Sequence, residues 1–410
     1  MNNKHLTVYF IAIFILATLT PADADAATAK KVTLAPIEIT GWIPYWRVAT
    51  GTADVIPNIK KLTTVEPFGF TVKNDGSLYD ALKVASSTQW QSLISVARAK
   101  KVKVIPTIMW SDGNAIDTIL RSKSARTAHI KAIVEMVKNG GYDGVDIDYE
   151  GKLASTRPYF STFLKELYTA IGKKWVYCTI EARTPPADAF DKIPVDLEYA
   201  NDYIAINKYC DRVNIMTYDQ GTIDLRLNTA ADVTPYIPIA DPKWVEKVIT
   251  LASKNIAKKK IRIGVATYGY EYIVTPLAEH GFKYDLQWAF NQKYALDLAQ
   301  QLSLTPHRNN ANEISFSYLP TSTEQIKTAT AVATANQNIV PITSLANAPI
   351  SFSDGTSSPR TDVQPIHLMW WSDAQAIQDK ITLARKLGVG GIAIFKLDGG
   401  EDPKMWSVLK

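Results

Sequence analysis

The sequence predicts an α/β chain: a closed (β/α)8 TIM barrel with an α+β insertion subdomain between strand seven and strand eight. Three observations carry that expectation. Short apolar runs alternate with helix-periodic segments along most of the chain, the sign of βα units wrapped around a parallel sheet. Eight such runs occur, at residues 37–46, 65–72, 102–110, 144–150, 175–181, 212–218, 261–268 and 391–396. One interval after the seventh run is roughly a hundred residues long, where an ordinary connection takes about 2–6. With 410 residues and 46% hydrophobic composition, the chain lies in the globular range and is long enough for one large barrel domain.

The first residues carry Lys4, an apolar run over 6–19 and small residues from Ala22 to Ala26. This reads as a secretory signal over 1–26, removed on export. A retained anchor is the alternative, but the run is shorter than the roughly 20 residues of a spanning helix. Expected localisation is therefore secreted, or cell-wall/periplasmic, without stable membrane association after cleavage. The barrel is expected over 27–272 and 370–410, with the insertion at 273–369.

Two helices follow directly from periodicity. Over 127–138, Ile130, Ile133, Val134 and Val137 share one face, and Gly140-Gly141 stops the helix before the fourth strand. Thr156 and Pro158 open the next, with Phe160, Phe163, Leu164, Leu167 and Ile171 on one stripe. Both stripes are core. Within the insertion, a helix is expected near 288–302 and strands near 313–319 and 366–371; a helix at 373–387 follows it. Its middle, 321–364, is rich in Ser, Thr, Ala and Asn and is expected to be irregular.

Cys178 and Cys210 are the two cysteines, too few for a disulfide-rich scaffold or a four-cysteine zinc site. They lie on or just before candidate strands, so either a single bridge or two buried thiols is possible. The net charge of +5 and pI near 8.8 suit an exported protein meeting anionic wall polymer. The basic residues read as scattered solvated faces, and no nucleic-acid partner is expected.

The chemistry concentrates in Gly141 to Lys152, GYDGVDIDYEGK. Strand alternation puts Asp146, Asp148 and Glu150 on one face and Val145, Ile147 and Tyr149 on the other. At the end of the fourth barrel strand, Glu150 would face the mouth where barrel active sites are built. Crowded carboxylates raise one another's pKa, so one tends to keep its proton, as a general acid must. A calcium loop is disfavoured because its twelfth position would be Arg157 instead of a bidentate Glu. A magnesium site is the remaining metal reading, and an exposed acidic edge strand is disfavoured by the apolar Gly144-Val145 and Ile147.

Asp143-Gly-Val-Asp146-Ile-Asp148-Tyr-Glu150 resembles the DxxDxDxE signature of glycoside hydrolase family 18, the chitinases and related N-acetylglucosaminidases. Asn214-Ile-Met216-Thr-Tyr218-Asp219 resembles the family's strand-six motif, and 264–272 resembles strand seven. Gly41-Trp42-Ile-Pro-Tyr45-Trp46 resembles the first strand of bacterial members acting on spore peptidoglycan. The resemblance runs from about residue 37 to the C-terminus.

It implies substrate-assisted catalysis, an exception to the two-carboxylate scheme of most glycosidases. Glu150 would protonate the leaving oxygen while the substrate's N-acetyl carbonyl attacks the anomeric carbon. Asp148 would hold the acetamido N–H, Asp146 would share a proton with Asp148, and Tyr218 would donate to the acetamido oxygen. Met216 and Asp219 would line the sugar pocket. Tyr45, Trp46, Trp110, Tyr268 and Tyr272 are candidate stacking surfaces, each with a core alternative. Two positions depart from the usual pattern: Phe395 stands where a tryptophan floors the site, and Trp110 lies in a segment that is Ser/Gly-rich in many chitinases. The expected partner is a GlcNAc-containing polysaccharide, peptidoglycan or chitin, with no cofactor and no metal. The alternative function is a catalytically inactive chitinase-like lectin, which typically lacks the acid that Glu150 supplies here.

Overall fold

The computed structural model describes residues 36–409 except positions 82, 232, 279–280, 320–338, 341–350 and 354–363. The expected signal segment, 1–26, lies outside the described residues, and so does most of 321–364. Residues from Pro36 onward form one compact unit.

Strands β1 (Glu38–Pro44), β2 (Thr64–Val72), β3 (Leu78–Asp80), β4 (Lys103–Val104), β5 (Thr107–Trp110), β6 (Gly144–Tyr149), β7 (Trp175–Glu181), β8 (Arg212–Met216) and β9 (Ile261–Ala266) come first. β17 (Gly391–Phe395) completes the set after the insertion. The sheet order is β1-β17-β9-β8-β7-β6-β5-β2, and β1 also pairs with β2, so the parallel strands close into the expected eight-strand barrel. The third expected strand is split into β4 and β5 by Pro106, which offers no N–H to the ladder. β3 folds back antiparallel on β2. The expected strands at 212–218 and 261–268 end at Met216 and Ala266.

The helix expected at 127–138 runs from Lys123 to Asn139, capped by Ser122, whose side chain accepts from Ala125 N–H. The next covers Arg157–Ile171 and buries Phe160, Phe163, Leu164, Leu167 and Ile171. The expected helix near 373–387 is Ala374–Leu387.

The insertion builds a second, antiparallel sheet from β10 (Tyr268–Pro276), β11 (Phe282–Asn291), β12 (His307–Arg308), β13 (Ile314–Tyr318), β14 (Ile339–Val340), β15 (Ser351–Ser353) and β16 (Ile366–Trp371). The order is β12-β13-β16-β10-β11-β14, with β15 on β11. β11 absorbs residues 288–291, so the expected helix near 288–302 begins at Gln292. β14 and β15 are strands inside the interval expected to be irregular.

Cys178 and Cys210 form a disulfide with Cα atoms 6.0 Å apart, closing a separation of 32 residues. In the chain-entropy description such a loop stabilises the fold by about 3–4 kcal/mol. Among the described residues, no helix is long and apolar enough to cross a membrane.

Candidate active site

The barrel interior is polar for most of its height, whereas such barrels are usually filled by bulky branched residues. At the N-terminal end of the strands, Glu38 accepts from Arg212 Nε at 2.6 Å and Arg262 Nη2 at 2.7 Å. Burial alone would raise the Glu38 pKa, but the two guanidinium groups pull it down to about 2. One layer up lies Glu66, fully buried, accepting from Thr40 and, at 3.3 Å, from Asn214 Nδ2. Burial and the nearby Asp146 push the Glu66 carboxyl well above its usual range, against the pull of Arg262.

Above Glu66, Asp146 is held by donors. Thr107 Oγ1 and Thr179 Oγ1 donate to it at 2.9 Å, and Trp42 Nε1 at 3.2 Å. Glu66 also hydrogen-bonds to it. Thr107 in turn accepts from Trp42, and Thr179 from Asn214. With donor direction converging on Asp146, it is the carboxyl of the stack best prepared to carry a charge. Burial still raises its pKa, and these hydrogen bonds oppose the rise.

Asp148 sits one step nearer the mouth and is raised well above the usual carboxylate range by burial, then by Glu150, Asp146 and Glu181. Its Oδ1 has no hydrogen-bond partner. Burial and the surrounding acids likewise keep the Tyr218 hydroxyl protonated.

Asp148, Glu150, Met216, Tyr218, Asp219 and Phe395 line one cavity at the C-terminal mouth. It measures about 240 Å³, many times the roughly 30 Å³ share of one water. Tyr218 and Asp219 are in the turn after β8, and Asp219 has a left-handed backbone, φ 56°. Phe395 stacks on Tyr218 with centroids 5.6 Å apart and makes edge contacts with Trp42 and Phe68.

The other expected residues are placed differently. Asp146 lies beneath the cavity rather than in its lining. Trp110 points out of the barrel, packing on Tyr149 and His129 behind the wall, because Met109 takes the inward position in register with Asp148. Tyr268 belongs to β10 and donates to Asp219 at 2.6 Å, joined by Tyr270 at 2.7 Å. Tyr272 is buried in the second sheet against Tyr270 and Tyr284. Trp46 packs edge-on against Phe68, and Tyr45 is exposed beside it.

Trp42, Phe68, Met109, Thr179, Glu181 and Trp244 also line the cavity, and sequence reasoning missed them. For those on strands the signal was available: counting back two residues at a time along each strand yields the inward positions. Glu181 closes β7 and accepts from Gly151 N–H at 3.1 Å and Asn201 Nδ2 at 2.7 Å, tying down the residue that follows Glu150. Trp244 comes from the helix Pro242–Ala252, and no local pattern announces it.

Among the described residues, no group of three or more His, Cys, Asp or Glu stands in a metal-holding arrangement. The cavity brings together the partly exposed Glu150 carboxyl, the buried Asp148 carboxyl with its unpartnered Oδ1, the Tyr218 phenol and the Phe395 ring. That set suits proton transfer to a leaving oxygen and neutral-amide recognition.

The Glycosyl hydrolases family 18 model matches residues 38–400. The cortical fragment-lytic enzyme of Bacillus cereus is 23% identical over 356 residues, covering 85% of this chain and 67% of that protein. The structure of the Bacillus megaterium QM B1551 spore cortex-lytic enzyme SleL superposes with a TM-score of 0.65 at 20% identity, over 91% of this chain and 73% of that one. A class V chitinase of Pseudomonas fluorescens Pf-5 gives 0.66 at 19% identity, over 91% and 98%.

Proposed function

Because the chain belongs to glycosyl hydrolases family 18 and is a glycoside hydrolase, we propose that it is exported and cleaves β-1,4-linked N-acetylglucosamine glycans, peptidoglycan or chitin, with retention of configuration. Glu150 donates its proton to the glycosidic oxygen as the bond from that oxygen to the anomeric carbon breaks. The acetamido carbonyl oxygen bonds to the same carbon, giving an oxazolinium ion. Asp148 accepts the acetamido N–H and passes its own proton to Asp146, and Tyr218 donates to the acetamido oxygen. Water then opens the ring from the face the leaving group vacated, with Glu150 taking its proton.

The observation that carries this reading is the unpartnered Oδ1 of Asp148, in one cavity with Glu150 and Tyr218. An N–H acceptor and an O–H donor are what an acetamido group requires. The buried disulfide supports export, since such bridges persist in oxidising compartments. The cortex-lytic and chitinase relatives support the substrate class.

The test is a matched pair of oligosaccharides, N-acetylated and fully N-deacetylated. Cleavage of the acetylated chain alone is expected. Equal cleavage of both would remove the acetamido group as nucleophile and turn attention to Glu181 as a second carboxylate.

A further inference from the structure

Lysines that look scattered in the sequence converge in the fold. The connections entering the barrel strands carry Lys60-Lys61, Lys100-Lys101, Lys173-Lys174 and the lysine run 258–260. All of these connections lie at the N-terminal ends of the strands, opposite the catalytic mouth. The strand starts beside these connections add Lys103 and Arg212. Lys103, in register with Thr64, lies over the Trp175 ring at 5.1 Å, and Arg212 covers the same ring at 4.9 Å. Lys260 Nζ donates to the Cys210 carbonyl at 2.9 Å. Burial lowers the Lys260 pKa, against the pull of Asp211.

Few acids share this rim. Asp143 and Asp211 are occupied in accepting Val104 N–H and Val176 N–H, each from its neighbouring strand. Glu38 is bound by Arg212 and Arg262. Helix C-termini also gather here, and each favours a nearby cation, but a terminus carries only about half a negative charge. That accounts for single lysines and not for pairs and a triplet.

We propose that this basic end of the barrel docks a flexible, single-chain poly(alditol phosphate) polyanion, holding the catalytic mouth away from the anchoring polymer. A bilayer fits less well, because interfacial binding uses exposed apolar side chains. Among the described residues, the most exposed of these, Val195 and Val233, lie in connections that follow strands β7 and β8, at the other end. The proposal concerns a surface remote from the cavity and stands whether or not the glycan assignment holds.

The experiment measures binding of the full chain to delipidated poly(glycerol phosphate) at 50 and 200 mM NaCl. Parallel arms use phosphatidylglycerol vesicles and a 30-base-pair DNA duplex. For about four phosphates contacted, affinity falls on the order of 50-fold across that salt range. Replacing Lys60, Lys61, Lys100 and Lys101 together by Gln lowers affinity at least about tenfold at 50 mM, and turnover of a soluble chitooligosaccharide is unchanged. A second variant, Lys173→Gln with Lys258→Gln and Lys259→Gln, gives a similar loss. Absence of binding, salt-independent binding, or variants that bind as wild type would overturn the proposal. So would tighter binding to vesicles or DNA than to the polymer.

Discussion

Glu150→Gln lowers turnover of N-acetylglucosamine oligosaccharides by about 10²–10⁴-fold, the usual contribution of a positioned general acid, while glycan affinity stays close to wild type. The amide keeps the size and polarity of the side chain and removes the transferable proton. Nothing else in the cavity replaces it. Asp148 lies two residues deeper in the barrel, and Glu181 is engaged by Gly151 N–H and Asn201. Calorimetric titration with an oligosaccharide, beside turnover measured on the same preparation, checks both halves. A lectin-like protein would show no difference between wild type and variant in either.

The second large effect is on stability. Arg262 is 1% exposed and is the cation at the centre of the polar stack, reaching Glu38 at 2.7 Å, Glu66 at 3.9 Å and the Tyr177 hydroxyl at 3.0 Å. Arg262→Met fills similar volume but leaves buried acids without their counter-ion. Breaking a buried pair from one side costs about 3–5 kcal/mol. At an unfolding entropy of about 2.1 cal/mol/K per residue, the melting midpoint falls by about 4–6 °C. Combining Arg262→Met with Glu66→Gln recovers part of the loss, because the double variant no longer buries the unpaired acid. A single variant within about 2 °C of wild type by scanning calorimetry would contradict the account of the stack, taking roughly 1.5 kcal/mol as the smallest meaningful change.

Much of this was legible before folding was considered. Local periodicity is a one-strand or one-helix property, so the eight barrel strands and the two helix stripes could be read directly. The acidic strand was readable because three acids at alternate positions are too costly to occur without use. What escaped depends on neighbours distant in sequence. Trp110 and Met109 both suit a strand end, and only the pairing of β5 with β6 decides which one faces Asp148. Tyr268 reads as the end of a barrel strand, yet it begins the second sheet and serves Asp219. Glu66 and Arg262 are lone charges in apolar strands, a visible oddity whose meaning comes from meeting across the barrel. The lysine pairs looked scattered for the same reason: a barrel returns every αβ connection to one end, which linear spacing hides.

The most direct measurement is mass spectrometry of the products after incubating the protein with chitooligosaccharides and, in parallel, with purified peptidoglycan. The account predicts fragments whose new reducing end is N-acetylglucosamine. No fragments from either polymer, or fragments ending only in muramic acid, would contradict it.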